Sequence, residues 1–249
     1  MGYHINDIKL KHLELVRQEE VDFQTIMVEI FNYQNTWWDK KVAFRYKFKK
    51  MYQVINNFRS LDITVINASS DCGIRFPSNV DSLSFQCRLE VGNIPSKGEN
   101  PTEQIIDLIA LSCFTTHHGV KFNSDSWLYA RFREYVSSLP LLDMLGLHNT
   151  LKKQLDTSNE SWNKEFKLVE IIDIDYVDAG GPAMLGGFSM LRTIKKMQKD
   201  HRVSYEEAFL LPYSLVQSGN LESARANWVQ DRMTQIKERN MRSKQVKQK

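Results

Sequence analysis

Glycine and proline are scarce in this chain, with 11 and 6 respectively among 249 residues. Both residue types punctuate turns, so a sandwich of many short strands would need more of them, and their scarcity favours long helices. Cysteine is scarce too, since only Cys72, Cys87 and Cys113 occur, at wide spacings. An odd number of widely spaced cysteines implies no disulfide framework, and we expect a reducing compartment.

Long apolar runs are also missing. The most apolar segment, IIDLIALSCF, contains Asp107 and is too short to span a bilayer. The first residues, MGYHINDIKLKHLEL, lack the apolar stretch of a signal peptide, and Gly2 lacks the later serine or threonine that myristoylation needs. We therefore expect a soluble protein, intracellular or assembled into a particle, without membrane contact and with no cofactor or metal.

Ordinary globular composition is present, with 42% hydrophobic and 25% charged residues. A chain of this length buries a substantial core as one domain or two. The N-terminal third reads as helical, first in VDFQTIMVEIFNYQ and then in an amphipathic helix with an aromatic stripe. The stripe follows the spacing i, i+4, i+7, i+11 and i+14 through Phe44, Phe48, Met51, Ile55 and Phe58.

After this helix, the spacing of apolar residues changes from a helical to an alternating pattern. In SLSFQCRLEV, apolar residues from Leu83 to Val91 alternate with polar ones, which predicts a half-buried strand. LDITVIN alternates in the same way, and CGIRF is a candidate third strand. So small a sheet must pack on helices or join a sheet of another chain.

Helix signals resume at Asn100, which is a candidate N-cap followed by Pro101 and Glu103, and this helix is expected to end near Gly119. Further helices are predicted from Trp127 to before Pro140 and roughly over 140–155, the latter weakened by Gly146. A new helix is predicted around Ser158, although EIIDIDY also allows a strand.

The C-terminal region contains a candidate capping box, Ser204 with Glu207. Pro212 is expected to kink or restart that helix, Gly219 to end it, and a last helix to begin at Asn220. The predicted fold is mainly α with a small antiparallel β element. Its predicted segments are N-terminal helices (1–60), the β element with a loop (61–99), a helical body (100–231) and a basic tail (232–249).

Two glycine pairs in DAGGPAMLGGFSMLRTIKK, residues 178–196, raise the question of a phosphate-binding loop. Gly181 and Gly186 have the spacing of the outer glycines of a Walker A loop, but Gly187 and Phe188 replace its lysine and hydroxyl residue. The dinucleotide fingerprint also fails. We interpret the stretch as a hinge in which one helix stops and Pro182 starts the next.

No sequence signature of catalysis is complete. Cys113 and the pair His117–His118 are four or five residues apart, so a cysteine and a histidine can bind one metal ion from the same helical face. A second pair of ligands at a recognisable spacing is missing. Cationic histidines that interact favourably with the C-terminal end of a helix explain this pattern better. Asp173, Asp175 and Asp178 form an acidic cluster that is a candidate magnesium site, although solvated or capping roles explain these carboxylates better. We expect no catalytic residues.

Two basic runs are candidate contacts for nucleic acid or for an acidic partner. In the first, cations interleave with aromatic residues, as suits phosphate pairing and base stacking, although a solvated basic face is the simpler reading. The candidate residues are Lys40, Lys41, Arg45, Lys47, Lys49, Lys50, Arg239, Arg242, Lys244 and Lys247.

Adjacent tryptophans, Trp37 and Trp38, point about a third of a turn apart on a helix. One of them is therefore a candidate for a contact between protein chains, while cover of a neighbouring helix in the same chain explains it equally well. Phe85 and Leu89 on the predicted strand are further candidates for contact between subunits.

The C-terminal third, VSYEEAFLLPYSLVQSGNLESARANWVQDRMTQIKER, resembles segments of small helical proteins from tailed bacteriophages. The shared features are a capped helix, a leucine–proline step and a charged terminal helix. The resemblance implies a non-enzymatic virion subunit of the head–tail connector or tail-ring type, assembled in the host cytoplasm. Its expected partners are further copies of itself, other virion proteins and DNA bound non-specifically.

Two alternatives stay open. One is a nucleic-acid-binding or assembly-chaperone protein that is not retained in the particle. The other is an enzyme whose site combines distant residues, among them Cys113, His117, His118 or the Asp173/Asp175 pair.

Overall fold

A computed structural model describes residues 8–17, 44–59, 62, 66–69, 72–94, 100–170 and 189–247, with backbone alone for 44–48, 59 and 242–247. In these ranges the chain is helical and forms no strand. The α-helices are α1 (Leu13–Arg17), α2 (Phe44–Arg59), α3 (Phe85–Asn93), α4 (Pro101–His118), α5 (Trp127–Ser138), α6 (Leu141–Lys167), α7 (Ser189–His201), α8 (Tyr205–Phe209) and α9 (Tyr213–Lys247).

The chain divides into two compact units. Unit 1 comprises residues 1–80 and 87–154, and unit 2 comprises residues 81–86 and 155–249. The mainly helical class predicted from the sequence is confirmed. The glycine stretch is described only from Ser189 onward, and the helix predicted at 21–34, most of LDITVIN and the three-aspartate cluster all lie outside the described residues.

Helix α4 lies at the centre of unit 1 and has the predicted ends. The Asn100 side chain accepts a hydrogen bond from the Glu103 backbone N–H at 2.8 Å, and Pro101 occupies the first helical position. Gly119 ends the helix with φ of 70°, a left-handed conformation that glycine adopts without strain. Ile105, Ile109 and Cys113 are buried, as the predicted apolar face requires.

Two further parts of unit 1 complete this core. Met51, Ile55 and Phe58 of α2 are buried, which confirms the described part of the predicted stripe. The segment before α1 runs antiparallel to the start of α6, because the Leu141 backbone N–H donates to Ile8 O at 2.8 Å. Ile8, Leu10 and Leu13 are fully buried there.

The strand predicted over Leu83–Val91 is wrong, because residues 85–93 form helix α3. The alternating residues include Cys87 and Val91, which with Ile94 also have the helical spacing i, i+4, i+7, and all three are buried. A short run of alternating residues satisfies both periods, and tertiary packing selected the helix. The candidate strand CGIRF is also not a strand.

Helix α6 continues where a new helix was predicted to start. Ser158 lies inside it, and its hydroxyl donates to Asp81 at 2.5 Å in unit 2. Gly146 lies inside it as well, and a Cβ at this position would stand 2.3 Å from Asn67 O. The glycine therefore permits a close backbone approach, which Asn149 Nδ2 reinforces by donating to Ile66 O at 3.0 Å.

In unit 2, the capping box of α8 is confirmed, since Ser204 and Glu207 exchange side-chain to backbone hydrogen bonds. The break predicted at Gly219 is wrong, because α9 passes through it without interruption. Lys196 of α7 donates to Gly219 O and to the Ser223 hydroxyl, so a residue without a side chain suits this contact between helices.

The buried residues of helix α9 lie near its start. Val216 and Leu221 are buried, but none of its described residues beyond Leu221 is. No helix among the described residues is both long enough and apolar enough to cross a membrane.

Candidate functional site

Cys113, the candidate metal ligand that precedes the histidine pair, is fully buried in α4. Burial, with a smaller effect from Cys72, raises the pKa of its thiol far above the ordinary value. The nucleophile and the metal ligand are both the thiolate form, which this environment disfavours. The position therefore suits a packing role.

His117 and His118 lie at the C-terminal end of α4, against rings of α5. His117 Nδ1 accepts from the Arg75 backbone N–H at 3.2 Å, and the Arg75 guanidinium donates to His117 O at 2.5 Å. Burial, followed by the charges of His118 and Arg75, lowers the pKa of His117 and favours its neutral ring. Both imidazoles lie 5.1 Å, centroid to centroid, from the ring of Phe132.

No group of three His, Cys, Asp or Glu side chains in the described ranges is placed to hold a metal ion. The histidine pair instead extends an aromatic cluster around Phe114 of α4. Phe114 meets Tyr129 and Phe122 edge to face at centroid distances of 5.5 and 6.2 Å. Such pairs stabilise a core beyond the burial of their area, so the cluster serves to join α4 and α5.

One buried carboxylate is held by an ion pair. Arg133 of α5 donates to Asp107 at 2.6 Å and to Glu103 at 2.8 Å, both on α4. The Asp107 side chain is 8% exposed, while those of Arg133 and Glu103 are 36% and 44% exposed. Burial opposes the charge of Arg133, but the two carboxylates outweigh it and raise the pKa of the guanidinium. This arrangement clamps α4 to α5.

The first basic run is only partly described. Lys49 and Lys50 of α2 are exposed, which is compatible with contact to phosphates or acidic groups. Arg45 and Lys47 lie on the same helix without described side chains. Lys40 and Lys41 lie outside the described residues, as do Trp37 and Trp38.

Phe85 and Leu89, the other candidates for contact between subunits, are both on α3. Phe85 is buried, and its ring stacks on Phe209 in unit 2 at a centroid distance of 6.3 Å. Leu89 is half-buried. The ring of Phe85 thus already has an intramolecular partner, and a contact between subunits at these positions stays a prediction.

The exposed surface of α9 carries an apolar stripe that the sequence reasoning missed. Val229, Met233 and Ile236 are 49%, 47% and 53% exposed and follow the spacing i, i+4, i+7. Ala226, also exposed, extends the stripe by one position. We call these four residues the α9 seam. Its signal in the sequence is the alternation of steps of three and four residues.

Basic residues border the α9 seam. Arg232 and Arg239 lie on one side and Lys237 on the other, and all three are exposed. Arg239 alone among the predicted contact residues of the tail has a described side chain. Arg242, Lys244 and Lys247 continue the helix with backbone description only.

Among the described residues, a cavity of about 760 Å³ is lined by Arg232, Gln235, Ile236, Glu238 and Arg239 of α9. Another, of about 220 Å³, is lined by Leu13, Glu14, Arg17, Pro101 and Thr102 in unit 1. Its lining combines one carboxylate and one guanidinium with apolar groups, and it contains none of the predicted site residues.

Comparison with known proteins gives no relative. No protein-family model matches the chain, no curated protein is significantly similar to it, and no solved structure matches its fold.

Proposed function

We propose that this chain is a non-enzymatic assembly subunit that acts through exposed helical surfaces. The α9 seam carries the proposal. A helix arm that presents apolar residues without burying any of them is typical of a surface that a protein partner covers. An isolated helix gains little stability in water, so a partner would also stabilise the arm.

The particle we propose is that of a tailed bacteriophage, with a place at the head–tail connector or tail ring. The support is the resemblance of the C-terminal third, which includes α8, the leucine–proline step Leu211–Pro212 and the charged helix α9. In such a particle the chain would act as a homo-oligomeric subunit beside other virion proteins, with surfaces other than the α9 seam between its own copies and the seam against another protein.

Size-exclusion chromatography with light scattering tests the assembly proposal. We expect a defined oligomer at micromolar concentration, and mass spectrometry of purified particles should detect the chain. A stable monomer that is absent from particles would contradict the proposal.

A second candidate is a nucleic-acid-binding or assembly-chaperone protein outside the particle, favoured by exposed Lys49 and Lys50 on α2. Contacts with phosphates release counterions, so binding to a random-sequence duplex should weaken as salt rises. Fluorescence anisotropy of a labelled duplex measures this, with the double substitution Lys49→Gln/Lys50→Gln as the variant. Absence of binding at low salt would remove the candidate.

A further inference from the structure

We propose that the α9 seam docks an apolar helix of a different protein, and that acidic residues border the apolar face of that partner helix. This inference goes beyond the assembly role and does not depend on the phage setting. It rests on the spacing of the seam, on the distribution of charge around it and on its exposure.

The spacing is that of a helix-pairing surface. Ala226, Val229, Met233 and Ile236 are separated by steps of three, four and three residues. Such steps keep side chains on one face of a helix, where they insert between residues of a facing helix. Asn240 occupies the next position of the pattern. A polar residue there lowers pairing stability but fixes the register, so we expect specific and weak binding.

Charge around α9 is segregated in a way that points to the partner. The positions that border the seam carry Arg232, Lys237 and Arg239 and no acidic residue. Asp231 and Glu238 lie about half a turn around the helix from the seam. Glu238 also contributes to the cavity that Ile236 and Arg239 line. In paired helices the residues bordering the apolar seam choose the partner, because they meet the bordering residues of the other helix.

A second copy of α9 is a poor fit to this border. In a parallel pair of α9 helices, the arginines of one copy would lie opposite the lysine of the other copy. In an antiparallel pair, arginines would lie opposite arginines and lysine opposite lysine. Like charges in these places are destabilising. A partner with glutamate or aspartate at the bordering positions turns each of these contacts into an attraction.

The chain already contains one contact of the proposed kind. Arg225 precedes Arg232 by seven residues on the same side of the seam. Its guanidinium pairs with Glu165 of α6 at 2.7 Å within unit 2. A carboxylate on a neighbouring helix thus pairs with the first cation of this row. Arg232 and Arg239 occupy the corresponding positions further along α9, where Arg232 donates to Gln235 of the same helix at 3.2 Å.

The test uses the full chain and two synthetic helices of about four heptads. One probe has leucine and isoleucine along its apolar face and glutamate at all bordering positions, and the other has lysine in place of glutamate. Fluorescence anisotropy of each labelled probe gives its affinity. We expect the glutamate probe to bind at least about tenfold more tightly, with the difference shrinking as salt rises.

Matched variants locate the binding. Ile236→Asp should weaken binding of the glutamate probe at least about tenfold, while Asp231→Asn on the opposite face should leave it unchanged. The triple reversal Arg232→Glu/Lys237→Glu/Arg239→Glu should bind the lysine probe in preference to the glutamate probe. Circular dichroism and thermal unfolding establish that each variant folds.

Three results would overturn the inference. The first is equal affinity for both probes, and the second is probe binding that Ile236→Asp leaves intact. The third is a different occupant of the same seam. Binding to anionic phosphatidylglycerol vesicles or to a DNA duplex that Ile236→Asp abolishes would identify such an occupant, as would a drop of the oligomeric mass in that variant. The assembly proposal fails separately, through a monomeric wild-type chain in light scattering.

Discussion

At the scale of single residues, the structure explains why a glycine occupies position 146 inside a helix. In the sequence it only weakens a predicted helix, because glycine has a low helix propensity. In the fold it permits the backbone around Asn67 to approach α6, and Ala68 N donates to the Thr150 hydroxyl at 3.1 Å beside it. The need for glycine there depends on a contact that local sequence does not encode.

Gly146→Ala is therefore expected to destabilise the protein by about 1–3 kcal/mol, because the new methyl group forces the helix and the Asn67 segment apart. Chemical denaturation measures the change in the free energy of unfolding. Gly92→Ala is the matched control, since Gly92 is also helical and a Cβ there would meet nothing within 4 Å. That control should be neutral or slightly stabilising, and an equal loss in both variants would contradict the close-approach argument.

A second residue, His12, links stability to pH. Burial, followed by the charges of Lys11 and Lys9, lowers the pKa of His12 from 6.5 to about 4. The folded state therefore binds fewer protons than the unfolded chain between these values, and stability is lost as pH falls through this window. From pH 7 to pH 5 we expect His12 to account for a loss of about 1–2 kcal/mol.

The variant His12→Asn tests the pH dependence. His12 Nδ1 accepts from the Lys9 backbone N–H at 3.1 Å, and an asparagine oxygen can take over that role without titrating. Urea unfolding at several pH values should show a flatter dependence for the variant between pH 7 and 5. The same slope in both proteins would show that His12 does not titrate in this window, leaving His117 and His148, whose pKa values are also lowered, as its source.

At the scale of helices, the sequence predicts ends better than continuity. The ends of α4 depend on local chemistry at Asn100 and Gly119, which is why both were found. Continuation of α6 through Ser158 and of α9 through Gly219 depends on contacts with distant residues, Asp81 and Lys196. Helix α3 was missed for a related reason, since its period is ambiguous until its packing is known.

The residues of the candidate site also differ in whether local sequence or tertiary structure identifies them. The basic residues of the tail were found from composition. The spacing of the α9 seam is present in the sequence, but its exposure becomes evident only when burial separates Leu221 from the exposed Val229. Conversely, the pairing of Cys113 with a histidine had a plausible local spacing. Its burial in the α4 core is a tertiary property, so the sequence could not rule the pair out.

The clamp between α4 and α5 gives a prediction at this scale. Arg133→Met should lower the free energy of unfolding by about 2 kcal/mol, because it leaves the Asp107 carboxylate buried without its cation. Glu103→Gln should cost less than about 0.5 kcal/mol, since that partner is 44% exposed. Thermal and chemical unfolding compare the two variants. An equal decrease in the free energy of unfolding in both variants would indicate that the burial of Asp107 does not determine how much the ion pairs contribute to stability.

At the scale of the whole molecule, α9 has a buried start and an exposed remainder. This division predicts which part of the chain can be removed without loss of stability. From Glu222 to Met241 the described helix spans about 30 Å without a buried residue. Its stability contribution to the rest of the chain should therefore be small, and its role should lie in contacts with other molecules.

A chain that stops after Ala226 should unfold within a few degrees of the full chain, because it retains Val216 and Leu221. A chain that stops after Ser214 loses both and should unfold at a clearly lower temperature, as expected when buried aliphatic side chains are removed. The first truncation should also abolish binding of the glutamate probe while leaving the fold intact. If it unfolds like the second, the arm belongs to the core of unit 2, and its exposed apolar residues need an explanation other than a partner helix.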